Sequence, residues 1–383
     1  MSELEYTEQG WRQTTDTSRH HRTGGWDYRG RGIYHVTLVV AERYPLFGQL
    51  AGDTPDEAYI ELNEFGRQVL DLLRDEPRFY GEKGYALKIL ASMIMPDHIH
   101  VAIQVIEPLP QSIGKVIRGF KSACSSLYKN RHSTSGGKYT AEMQDAVGSL
   151  HTDGSPHDEL ILHFSRKFTR NSCSIWQPDK AGYHECILHY YEQLPHIIHY
   201  IHDNPRRLAL KRANPDLFRI HQQYMLGDVP CTTLGNMFLA EKPMHAMVQC
   251  SRSLTQQEIN AYRDACIHEA ERGVIHVSAA ISEGERQTCK ALREAGYPLI
   301  ILLTEGFPKP DSPHYKYYKP QGVYFEACAQ GRLLLVEPAA EYYDRPEIEA
   351  KVYAKTGIRD LSHNAKRYRF LALNALAGKV AEM

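Results

Sequence analysis

Met95-Pro96-Asp97-His98-Ile99-His100-Val101 is the stretch on which the reading of this chain turns. Successive side chains of a strand point to opposite faces, so His98 and His100 share one face while Ile99 and Val101 share the other. The apolar pair belongs to a core. Two imidazoles side by side can hold one divalent metal. In a chain with 20 histidines among 383 residues, about one His-x-His pair is expected by chance, so the pair alone also fits two strand histidines making ordinary hydrogen bonds.

Around this stretch, Tyr85 to Met95 and His98 to Val105 read as two strands joined at Pro96-Asp97. Ile33 to Arg43 alternates in part and reads as an earlier strand. Asp56 to Arg74 carries Tyr59, Leu62, Val69 and Leu73 at helical spacing, and 111–130 forms a second helix bearing Lys115, Arg118, Lys121 and Lys129. Residues 131–172, rich in Gly, Ser, His and Thr, read as a loop-like insertion. Helical spacing resumes from His184 to His202, with a break at Pro195 and an apolar stripe of Leu194, Ile197, Ile198 and Ile201.

That last helix supplies the chemistry missing from an imidazole pair. Tyr200 and Asn204 are four residues apart and separated by roughly 40° around the axis, so they share a face. Tyr200 can serve as a nucleophile on a phosphodiester, and the amide oxygen of Asn204 as a third metal ligand. Asn204 precedes Pro205, which places it at the predicted helix end. Two imidazoles and one amide oxygen suit Mg²⁺ or Mn²⁺, with water and phosphate completing the shell. A covalent phosphotyrosine conserves the bond energy for rejoining and needs no ATP, in keeping with the lack of a G-x-x-x-x-G-K-[ST] loop. The rival phenols Tyr190 and Tyr191 have no Asn or Gln four residues later.

Bulk properties bound this reading. The chain is long enough for two domains. With 45 basic and 46 acidic residues the net charge is -1, so a nucleic-acid surface would have to be local. Basic residues that could hold phosphates are Lys115, Arg118 and Lys121 on one helix and Arg206 and Arg207 past Asn204. No membrane span is expected, and the polar N-terminus with eight scattered cysteines and no CxxC pair suggests a cytoplasmic location.

The ordered set Ile33-Tyr34-His35-Val36-Thr37, Phe47-Gly48, Met95-Pro96-Asp97-His98-Ile99-His100, Gly119-Phe120-Lys121, Ile175-Trp176-Gln177 and Tyr200-Ile201-His202-Asp203-Asn204-Pro205 resembles the HUH single-tyrosine transposases, specifically the group associated with repetitive extragenic palindromes. The resemblance spans 32–212. It implies an α+β ferredoxin-like nuclease domain, with an antiparallel sheet flanked by helices. It also implies a metal site at His98, His100 and Asn204, Tyr200 as nucleophile, and Mg²⁺ or Mn²⁺ as cofactor. The substrate it implies is single-stranded DNA beside hairpins. A homodimer is compatible with it. A domesticated DNA-binding or regulatory protein that keeps the fold without turnover is the alternative.

The texture changes after 245. Strand-like runs at 273–280, Tyr297 to Thr304 and Arg332 to Val336 alternate with a helix from Ser282 to Gly296 that opens on a capping box, Ser282-Glu283-Gly284-Glu285. This order predicts a mainly parallel α/β sheet. Val274 to Pro338 resembles Rossmann-like domains of DNA-processing proteins, with Ser278, Ser282, Thr304 and Gly306 as candidates for a phosphate or nucleic-acid backbone site and a nucleotide as the candidate partner of the domain. The expected organisation is a polar tail at 1–31, the nuclease domain at 32–212, a linker at 213–244 and the Rossmann-like domain at 245–383.

Overall fold

The computed structural model describes residues 4–7, 10–13, 25–132, 174–177, 183–307, 320, 322–357 and 365–383. Most of the expected insertion at 131–172 and the link at 178–182 therefore lie outside the described residues. The chain divides into two compact units, Met1–Ala209 and Leu210–Met383.

Where a polar tail was expected, β1 (Leu4–Thr7) and β2 (Gly10–Gln13) pair as an antiparallel ribbon. There follow β3 (Gly32–Val39), β4 (Gly48–Ala51), β5 (Tyr59–Leu62), helix α1 (Glu64–Gly81), β6 (Leu87–Met95), β7 (His98–Val105), helix α2 (Ile113–His132), β8 (His184–Leu188) and helix α3 (Gln193–Ala213). Four strands form one antiparallel sheet in the order β6-β7-β3-β8. Without the two ribbons the chain reads βαββαβ, with the first and third strands central, which is the ferredoxin-like arrangement.

Two helix boundaries differ from expectation. The helix predicted from Asp56 starts at Glu64, because Asn63 caps it by accepting a hydrogen bond from the Gly66 N–H at 2.8 Å. Tyr59 and Leu62 instead pair with β4. The segment from His184 is not helical either: His184–Leu188 is the fourth sheet strand, pairing Thr37 with His184 and Ile33 with Leu188. Helix α3 then runs unbroken through Pro195 and Pro205. Pro195 sits in the first turn, where a missing N–H is no loss.

Alternation sorts the sheet into two faces. Tyr34, Val36, Leu38, Ile99, Val101 and Ile103 point into the main core, which α1 and α2 close with Phe65, Val69, Leu73, Val116, Ile117 and Phe120. On the other face Ala91 and Ala102 pack against Ile201 of α3, with Ile197, Ile198 and Tyr200 beside them. Small alanines let the helix approach the strands closely. Gly119 does the same for α2: a Cβ there would overlap the Tyr80 hydroxyl of α1.

Glu76 on α1 faces a cavity lined by Val36, Leu38, Leu73, Val101, Ile117 and Phe120. Its Oε2 is buried without a hydrogen-bond partner, and burial raises its pKa from 4.5 to about 7. A carboxyl raised on folding costs nothing below pH 4.5, where both states are protonated. The cost grows as pH rises from about 4.5 to about 7, where only the unfolded chain has ionised, and is constant above. The N-terminal unit should therefore lose stability across that window, and Glu76→Gln should remove the slope. All three tryptophans, Trp11, Trp26 and Trp176, lie in this unit, so urea unfolding followed by their fluorescence at pH 5 and pH 8 reads it directly.

The C-terminal unit corrects the expected linker. Residues 221–235 form β9 (His221–Leu226) and β10 (Val229–Gly235), an antiparallel hairpin turning at Gly227-Asp228. They are followed by β11 (His245–Met247), α4 (Gln256–Glu271), β12 (Ile275–Ser278), α5 (Glu283–Glu294), β13 (Leu299–Leu302), α6 (Gly322–Ala329), β14 (Leu333–Pro338), α7 (Ala340–Tyr343), α8 (Pro346–Thr356) and α9 (Ala365–Ala381). The sheet order is β11-β12-β13-β14-β10-β9; the first four strands are parallel, and β10 and β9 extend them antiparallel. Residues of α4, α5 and α6 cover one face, and residues of α7, α8 and α9 the other. The parallel strands follow one another in chain order without reversal. This sheet therefore lacks the strand-order switch at which dinucleotide folds open their crevice.

Candidate active site

The β-ribbon of Met95–Val105 delivers the imidazoles to the face that α3 covers. His98 and His100 are both buried, and their Nε2 atoms lie 3.2 Å apart. Asp97 Oδ1 accepts from His98 Nδ1 at 2.5 Å, and Arg43 reaches the other Asp97 oxygen at 3.3 Å. A carboxylate can only accept, so the proton of neutral His98 sits on Nδ1 and its Nε2 presents a lone pair toward His100. Burial pushes the Asp97 carboxyl up, but hydrogen bonding and charge from His98, with Arg43 adding to them, outweigh it and hold the pKa below the usual value.

His100 is gripped from the neighbouring strand. Thr37 pairs with His100 across β3 and β7, and His35 lies one step further on the same face. Thr37 Oγ1 and His35 Nε2 lie 3.0 and 3.1 Å from His100 Nδ1. Burial lowers the pKa of His35 to about 4, so it is neutral at physiological pH and can accept a proton from His100 Nδ1. With that proton on Nδ1, the Nε2 lone pairs of both imidazoles face each other. Arg43 arrives from a turn in which Glu42 and Arg43 adopt φ values of 56° and 57°, a left-handed conformation unfavourable for residues with side chains.

Tyr200 stands against this cluster. Its ring centroid is 5.4 Å from that of His100 and 5.8 Å from that of His35. The Arg207 guanidinium, about two helical turns further and buried, lies 5.4 Å from the Tyr200 ring. Burial raises the phenol pKa, while Arg207, Arg43 and a hydrogen bond with Asn204 pull the other way.

Asn204 does not sit at a helix end. Pro205 lacks the N–H that would bond the Ile201 carbonyl, and the Asn204 side chain takes up the deficit. Its Nδ2 donates to the Tyr200 carbonyl at 2.7 Å and to the Ile201 carbonyl at 3.4 Å. The helix continues to Ala213, and with its nitrogen so engaged the amide keeps its oxygen as the end available to a ligand.

The structure thus brings Tyr200 to the His98–His100 pair, with Asn204 and Arg207 beside Tyr200 on the same helix. It does not gather the other predicted phosphate contacts. Lys115, Arg118 and Lys121 belong to α2, on the opposite face of the sheet, and Lys121 lies 6.0 Å from the Trp176 ring. Arg206 pairs with Asp56 at 2.9 Å and Asp203 at 3.4 Å. The site residues that the sequence analysis did not assign are His35, Thr37, Arg43 and Asp97. Antiparallel pairing of the 33–39 strand with the imidazole strand was the signal for the first two.

In the C-terminal unit the expected phosphate-site groups are engaged internally. The Ser282 hydroxyl accepts from the Glu285 N–H at 3.2 Å, completing the predicted capping box. The buried Glu285 carboxylate accepts from the Ile281 and Ser282 N–H groups at 2.6 and 3.1 Å. The Ser278 hydroxyl donates to the Val248 carbonyl at 3.3 Å and accepts from the Ala280 N–H at 3.0 Å. Beside Thr304 and Gly306, the Phe307 N–H donates to Glu337 at 2.6 Å. Helix α5 therefore already holds an anion, its own Glu285, at its N-terminus.

No protein-family model matches this chain, and no curated protein is similar to it. Among solved structures, it is similar to the crystal structure of a proposed transposase from Deinococcus radiodurans R1, at 15% identity and a TM-score of 0.23, over 48% of this chain and 96% of the other. Among the described residues, no helix is long and apolar enough to cross a membrane.

Proposed function

We propose that the N-terminal unit is a metal-dependent endonuclease and strand transferase of the HUH single-tyrosine transposase kind, acting on single-stranded DNA beside hairpins. The observation that carries this reading is the meeting of three features: the Nε2 pair of His98 and His100 at 3.2 Å, the Tyr200 ring 5.4 Å from His100, and Asn204 one turn along the same helix. The βαββαβ topology and the ordered motifs from Ile33 to Pro205 support it.

Donor chemistry fits a hard divalent cation. Two ligands at right angles on a cation with bonds of about 2.1 Å stand about 3 Å apart, close to the Nε2 separation. Mg²⁺ or Mn²⁺ held by His98, His100 and Asn204 would supply positive charge to the scissile phosphate. The chain's own residues do the rest. Thr37 and His35 accept the hydrogen bond from the His100 Nδ1–H, and Asp97 that from the His98 Nδ1–H, so both imidazoles keep their Nε2 lone pairs facing the ligand position. Arg207 offsets the burial that keeps the Tyr200 phenol protonated. The Tyr200 oxygen releases its proton to solvent and attacks phosphorus, the 3′ oxygen leaves and takes up a proton from solvent, and the 5′ phosphate remains on Tyr200; attack by a 3′ hydroxyl reverses the step.

Incubation of the full chain with labelled single-stranded hairpin oligonucleotides and Mn²⁺ tests the reading. It should yield a covalent DNA adduct that maps to Tyr200 and is abolished by EDTA. Cleavage without an adduct, or an adduct on another residue, would overturn it. Asp97→Asn tests the support for the ligands. It removes the negative charge that strengthens the hydrogen bond from His98 Nδ1, and Mn²⁺ affinity measured by calorimetry should fall about 10- to 100-fold.

A further inference from the structure

We infer that the C-terminal unit carries a second, separate metal site formed by Cys266 and Glu269 of α4 and His276 of β12, with the donor set of a zinc-type cation. Among the described residues these three form the one group of at least three His, Cys, Asp or Glu side chains whose ligand atoms converge, all within 4.8 Å of one another.

Local sequence explains the convergence. Cys266 and Glu269 are three apart and lie on one side of α4. Gly273, at φ +91°, reverses the chain directly into β12, and its N–H closes the helix on the Ala270 carbonyl at 2.9 Å. His276 is the second residue of that strand. Its neighbours Ile275 and Val277 face the core under α9, so His276 points to the opposite layer, where α4 lies. A cation here would clamp a helix to the strand that follows it.

Three observations point to a ligand rather than to packing. First, His276 Nε2 and Glu269 Oε2 stand 3.2 Å apart. Nitrogen and oxygen ligands at about 2.0 to 2.2 Å from a tetrahedral zinc lie about 3.3 to 3.6 Å apart, so this pair is already close to one edge of the tetrahedron. Second, His276 is fully buried and Cys266 nearly so, which holds two of the three donors away from competing water. Third, the set combines a thiol, an imidazole and a carboxylate, which a borderline-soft cation prefers and Mg²⁺ does not. Cys266 is buried and Glu269 half-exposed, so the carboxylate side offers an entry path. Burial raises the Cys266 thiol to about 11; on binding, its proton is released to solvent and the thiolate takes its place on the cation. The site lies toward the amino ends of the parallel strands, away from Ser278 and Ser282.

Co²⁺ titration of the full chain, purified under reducing conditions after chelator treatment, tests this. The expected result is a thiolate-to-cobalt charge-transfer band that saturates at one equivalent. The band is lost in Cys266→Ser and unchanged in His98→Ala. No such band in the wild-type chain, or a band that survives Cys266→Ser, overturns the inference. Should Cys266→Ser fail to fold, the half-exposed Glu269→Gln decides: about tenfold weaker Co²⁺ binding supports the site, and unchanged binding overturns it. The N-terminal site contains no sulfur ligand, so either outcome leaves the Tyr200 reading to its own test.

Discussion

Tyr200→Phe should form no covalent adduct with hairpin DNA and should cut it at least about a thousandfold more slowly than the wild-type chain. The substitution removes one oxygen and leaves the ring. The contacts with His100, His35 and Arg207 are ring contacts, so the variant should fold and bind DNA as before. That combination separates a nucleophile from a packing residue. An adduct persisting in Tyr200→Phe would transfer the role to another phenol. Tyr190 and Tyr191 are 70% and 73% exposed, which makes them poor substitutes for a phenol packed against the imidazoles. Binding lost together with cutting would instead make Tyr200 part of the architecture.

Trp176→Ala carries the largest expected effect on stability, about 3–5 kcal/mol. Trp176 is 2% exposed and lies in the main core with its ring centroid 5.9 Å from that of Phe47. Its indole N–H donates to the Lys121 carbonyl at 2.9 Å, leaving no polar group stranded. Its backbone bridges Val40, while the neighbouring Gln177 N–H bonds the Val39 carbonyl at 2.8 Å. Truncation would empty a large volume between α2 and the end of β3, where neighbouring backbone is fixed by these bonds and cannot collapse inward. Urea unfolding followed by the fluorescence of Trp11 and Trp26 would measure the loss. A loss below about 1 kcal/mol would mean the region relaxes to fill the space.

Much of the N-terminal unit was legible because its strands obey a period of two. His98-Ile99-His100-Val101 told its two faces apart before any coordinate, and β6 and β7 fell where alternation put them. The failures have physical causes. His184–Leu188 is a short edge strand followed within five residues by a helix, and its apolar residues merged with the helical stripe that begins at Leu194. Pro195 and Pro205 read as breaks, yet one lies in a helix's first turn and the other is compensated by its neighbour. The 213–244 segment lacked long apolar runs, but Gly227-Asp228 between Leu226 and Val229 was a hairpin signal that went unused. Site residues followed the same logic. That Tyr200 and Asn204 neighbour one another on a helix was readable from their spacing. Asp97 and Arg43 were not, because a strained turn brings Arg43 from outside the strand. The basic helix α2 misled for the converse reason: charge shows that a helix face is wet, not which side of a sheet it occupies.

The Asn204-Pro205 pair has a consequence for which substitutions the helix can accept. By charge alone aspartate would hold the proposed divalent cation more strongly than asparagine would. Yet a carboxylate at 204 has no hydrogen to give, and would set negative oxygen against the Tyr200 and Ile201 carbonyls that the amide now satisfies. The proline therefore bars the stronger ligand from that position, and any gain in cation affinity would first require a residue at 205 that can donate its own backbone proton.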